Sequence, residues 1–131
     1  MNVTDLPMLH VDCRIPEWMT IYSGDVDGST IVALYDQEYE IHVGFGLELL
    51  SRDMIGHGIQ AILSARLNRD FGEAALAIHR LAAECFNQGK KLDPSWKPLV
   101  NRMREDELLV TRLGLRHDSR IEVFDRYLEL F

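Results

Sequence analysis

Two periodicities divide the chain. From Trp18 to Phe45 the apolar positions read as strands. Met19-Thr20-Ile21-Tyr22 and Thr30-Ile31-Val32-Ala33-Leu34-Tyr35 are short apolar runs rich in β-branched and aromatic residues, and between them lies the turn-rich stretch Ser23 to Ser29. After Asp36-Gln37-Glu38, a second turn, the segment Tyr39 to Phe45 alternates strictly. Tyr39, Ile41, Val43 and Phe45 fall on one face, with Glu40 and His42 on the other. The pattern predicts a three-stranded antiparallel meander.

Beyond Phe45 the period becomes helical. Leu50, Met54, Ile55, Ile59, Ile62, Leu63 and Leu67 form one stripe, interrupted at Gly56 and Gly58, where a division into two helical pieces is expected. Asp70-Phe71-Gly72-Glu73 has the spacing of a capping box. It predicts a second helix through Ala75, Ile78, Ala82 and Phe86, stopped at Gly89. Asp93-Pro94 suits a helix entry, and a third helix is expected from about Trp96 to Leu113, with Leu99, Met103, Val110 and Leu113 inward and Gly114 as its stop. Asp118-Ser119 reads as a turn and Arg120 to Phe131 as a last strand. The expected architecture is α+β: an antiparallel sheet of about four strands, the meander plus the C-terminal strand, with three helices mainly on one face. It forms one domain over residues 1–131, with residues 1–7 expected to be frayed.

Composition narrows the function classes. The chain has 131 residues, 47% hydrophobic and 27% charged, which is enough to build a core without a covalent staple. Cys13 and Cys85 stand far apart with no paired-cysteine or histidine spacing, so free thiols and no metal site are expected. His10, His42, His57, His79 and His117 make no ligand pair, and Asp25-Val26-Asp27-Gly28 lacks the flanking acids of a calcium loop and reads as a hairpin turn. No apolar stretch reaches the ~20 residues of a membrane span, and the N-terminus lacks a secretory pattern; a cytoplasmic location is expected. Fourteen Lys+Arg against 21 Asp+Glu give a net charge of −7. Direct nucleic-acid binding is therefore not expected, whereas a basic protein partner suits the charge. A homo-oligomer is left open.

One segment resembles a known family. The strand Tyr39–Phe45, the stretch Ser51-Arg52-Asp53-Met54-Ile55-Gly56-His57-Gly58 and the apolar helix after it are similar to the central motif of the GNAT-type acyl-CoA N-acyltransferases. Asn101 and Arg112-Leu113-Gly114-Leu115 resemble that family's second conserved region, so the likeness covers Tyr39 to Leu115. Asp53 stands where the family has Arg or Gln, with Arg52 one residue early, and Val110 stands at the place of the family's frequent tyrosine. The resemblance implies acetyl-coenzyme A as co-substrate. Arg52 and the backbone of Ile55, Gly56, His57, Gly58 and Ile59 would cradle its phosphates, and Glu40 or His42 would be the base that accepts a proton from an amine.

The competing reading is a non-enzymatic acidic modulator, of the inhibitor, immunity or phage type. It would dock on a basic surface through carboxylates such as Asp36, Glu38, Glu40 and Glu105-Asp106-Glu107. Trp18, Tyr22, Tyr35, Trp96 and Phe131 are the aromatics that could join it at the surface.

Overall fold

The structure, a computed structural model, describes residues 15–46, 52–113 and 120–131. Expectations for residues 1–7, His10, Cys13, Leu50, Ser51, Gly114, Leu115, His117 and the Asp118-Ser119 turn lie outside them. The fold is α+β: a three-stranded antiparallel sheet and four α-helices among the described residues. The chain divides into two compact units, residues 1–65 and 66–131, and helix α1 (Arg52–Phe71) runs from one into the other.

The first unit holds the meander, in the order β1 (Met19–Val26), β2 (Ser29–Asp36), β3 (Ile41–Gly46). Its register pairs Ile21 with Leu34 and Leu34 with Val43, so the alternation of the sequence becomes one apolar face. Met19, Ile21, Val32 and Leu34 are buried on that face. On α1, Ile55, Ile59, Ile62 and Leu63 are buried at helical spacing and supply the unit's second apolar stripe. Gly56 and Gly58 do not break this helix, which is continuous from Arg52 to Phe71.

The first turn is tighter and the second longer than the sequence pattern suggests. β1 and β2 run up to Val26 and resume at Ser29, so only Asp27 (φ 50°) and Gly28 (φ 81°) connect them. Two successive left-handed residues form the reverse turn whose twist matches that of paired strands. The β2–β3 turn is closed by Asp36. Its side chain is fully buried and accepts hydrogen bonds from the backbone N–H of Glu38 at 2.9 Å and of Tyr39 at 3.2 Å. This carboxylate works as a turn lock rather than as a surface charge. Gln37 N–H donates to the Trp18 carbonyl at 2.9 Å, extending the β1–β2 ladder one step past Met19.

The second unit is helical: the end of α1, then α2 (Ala74–Gln88), a 3-10 turn (Pro94–Trp96), α3 (Lys97–Arg112) and α4 (Ile121–Leu128). Its core gathers Ile78, Ala82, Leu92, Leu99, Val100, Met103, Phe124 and Leu130. Gly72 (φ 60°) separates α1 from α2, and Gly89 (φ 64°) ends α2 with its N–H on the Cys85 carbonyl. Asp70 does not cap α2. It remains in α1, and its carboxylate pairs with Arg102 at 2.6 Å. Asp93 accepts from Ser95 N–H at 2.9 Å, a bond that lowers its pKa and opens the 3-10 turn.

The C-terminal segment is a helix, not the fourth strand. Ile121, Phe124, Tyr127 and Leu128 recur at helical spacing, and Phe124 is buried while Val123 is exposed. Buried Glu107 fixes its start by accepting the Arg120 N–H at 3.2 Å, Arg104 pairs with Asp125 at 2.5 Å, and Leu92 N–H bonds the Leu130 carbonyl at 2.9 Å.

Two expectations follow for stability. Gly28→Ala places a Cβ on a left-handed residue and should cost about 1–2 kcal/mol, read as a lowered urea midpoint. On α3, Asp106 has its pKa raised above 3.8 by burial, opposed by the nearby Arg102 guanidinium. The folded protein thus holds this proton more tightly than the unfolded chain. Asp106 supports stability in acid, and that support is lost as pH rises from 3.8 through the raised value. Asp106→Asn should remove this one decline from a plot of urea midpoint against pH. An unchanged plot would contradict the assignment.

Candidate functional site

Strand alternation assigns two sides to the meander, and the side opposite the apolar face presents the candidate chemistry. In register across β1, β2 and β3, one row reads Tyr22, Ala33, Gly44 and the next Thr20, Tyr35, His42. The Tyr22 and Tyr35 rings meet edge to face with centroids 6.2 Å apart and planes at 69°. Both rings are half-buried, Ala33, the register partner of Tyr22, is buried, and His42 and Gly44 on β3 are exposed.

Glu40 does not join His42 there. It lies in the turn before β3, exposed, with a left-handed backbone (φ 56°), so strand alternation does not place it on the His42 face. The strand begins two residues later than the alternating pattern suggests, because the Asp36 turn absorbs residues 37–40.

The proposed phosphate cradle is helical. Arg52 opens α1, and Gly56, His57, Gly58 and Ile59 lie in its first two turns, where main-chain N–H groups bond carbonyls four residues back. Ile55 and Ile59 are 3% and 0% exposed, Gly58 is buried, and His57 is exposed. The N–H groups of residues 56–59 are thus engaged in the helix ladder rather than turned toward a ligand. Asn101 is exposed on α3, and Val110 is buried.

The remaining candidates separate as follows. Cys85 is a free, half-buried thiol packed against the helical core. Among the described residues no three His, Cys, Asp or Glu side chains group as metal ligands, and no helix is long and apolar enough to cross a membrane. In the helical unit, His79 Nδ1 lies 2.9 Å from the Tyr127 hydroxyl within a cluster of His79, Phe86, Phe124 and Tyr127. Arg126 sits over the Phe86 ring at 5.2 Å. Burial raises the Tyr127 pKa, so its hydroxyl stays protonated and can donate to the imidazole. Of the large aromatics, Trp18, Trp96 and Phe131 are half-buried, so none is a free-standing anchor.

Charge is the feature that a reading by motif passes over. Residues 1–65 contain ten Asp/Glu and two Lys/Arg, whereas residues 66–131 contain eleven and twelve. The first unit therefore carries −8 and the second +1, which together make the net charge of −7. The described meander segment, residues 15–46, holds six carboxylates and no Lys or Arg. Asp36 is buried at its turn. Asp25 and Asp27 are exposed at the β1–β2 end, and Glu17, Glu38 and Glu40 are exposed at the opposite end. Counting charges by half of the chain would have revealed this from sequence. No family model matches the chain, and neither a curated protein nor a solved structure is found similar to it.

The helical state of residues 56–59 generates a direct expectation. Titration with acetyl-coenzyme A to millimolar concentration should leave the thermal midpoint unmoved. A ligand at 100 times its Kd would add about 2.7 kcal/mol and shift it by several degrees. A saturable shift would restore the acyltransferase reading.

Proposed function

We propose that the protein is a non-enzymatic acidic docking module, a modulator that attaches to a basic surface of a partner protein through its β-meander. The observation that carries this reading is the charge of the first unit, residues 1–65, whose ten Asp/Glu outnumber its two Lys/Arg. A concentration of one sign on one half of a small protein raises its rate of encounter with an oppositely charged surface and disfavours like-charged partners such as nucleic acid. The helical unit, close to neutral, anchors no such field.

The acids are also placed to act outward. Five of the six are exposed, at the two ends of the sheet, and the sixth is committed to the Asp36 turn. Half-exposed tyrosines between those ends supply the aromatic contact area that protein interfaces favour. The acyl-coenzyme A reading finds less support, since Glu40 lies in a turn before β3 and the N–H groups of residues 56–59 fall within the helix ladder of α1.

A matched pair of charge reversals tests the proposal. Glu17→Lys with Glu40→Lys alters the meander, and Glu84→Lys with Glu105→Lys makes the same net change on exposed helical positions. Partner protein captured at low salt should be released by high salt. Its affinity should fall about tenfold or more for the meander variant and about twofold or less for the helical one. Equal losses in the two variants would mean that total charge, not the meander, governs association, and the proposal would fail.

A further inference from the structure

We draw no further inference here: the strongest candidate, the exposed surface patch of Leu76, His79 and Phe86 on α2 beside Tyr127 of α4, carries none, because nothing in the structure shows what covers it.

Discussion

A three-stranded meander can bury one side, and everything distinctive about the first half of this chain follows from that constraint. The register that puts Ile21, Leu34 and Val43 on one side of the sheet obliges Tyr22, Tyr35, His42 and Gly44 to occupy the other. A slip of one residue in any strand would exchange the two sets, bringing imidazole and phenol groups into the interior and isoleucine and leucine out. Register is held from both ends. At one end the left-handed pair Asp27-Gly28 permits a turn of two residues only; at the other, the buried Asp36 carboxylate holds two backbone donors of the next turn. Asp36 lies on the apolar side in register with Met19 and Ile41, so an unsatisfied carboxylate there would be costly, and its two N–H partners are what make the position tenable.

This division of labour among carboxylates explains how an acidic segment with no Lys or Arg can still fold. Repulsion among six acids disfavours compaction, but one of the six is withdrawn from the surface and hydrogen-bonded, and the other five are split between the two ends of the sheet. The helical half uses its charges in the opposite manner, as internal ties. Arg102 joins Asp70 on α1 to Asp106 on its own helix, Arg104 holds Asp125 on α4, and Glu107 caps the start of α4. Cations of the helical unit are thus engaged by acids of the same unit. The contrast is one of wiring as well as of number.

Where local pattern and local burial agree, the fold was legible. The alternation in the meander, the stripe through Ile55, Ile59, Ile62 and Leu63, and the inward set Leu99, Met103, Val110 and Leu113 are all where the sequence puts them, because each pattern is read on a single element. The misreadings share a cause: partners remote in sequence decided them. Ile121-Glu122-Val123-Phe124 satisfies both a period of two and a helical period, and it becomes helical where Glu107 caps it and Phe124 enters the core. Asp70 has capping-box spacing but is drawn to Arg102, which is 32 residues away. Gly56 and Gly58 look like punctuation, yet flanking Ile55, Ile59 and Ile62 bury enough apolar surface to carry α1 through both. Glu40 shares a face with His42 only if the strand begins at Tyr39, whereas β3 begins at Ile41.

The candidate site shows a related limit, since its strongest signal is distributed rather than local. No motif marks the first unit; what sets it apart is an excess of ten acids over two bases, which becomes visible only when the chain is divided where the structure divides it. Gly44 is similar. In sequence it is one glycine among nine, and nothing about its neighbours separates it from Gly28, which a turn demands. The backbone separates them: Gly28 is left-handed at φ 81°, whereas Gly44 has an ordinary strand conformation in which a Cβ would make normal contact with the Val32 carbonyl oxygen at 3.7 Å.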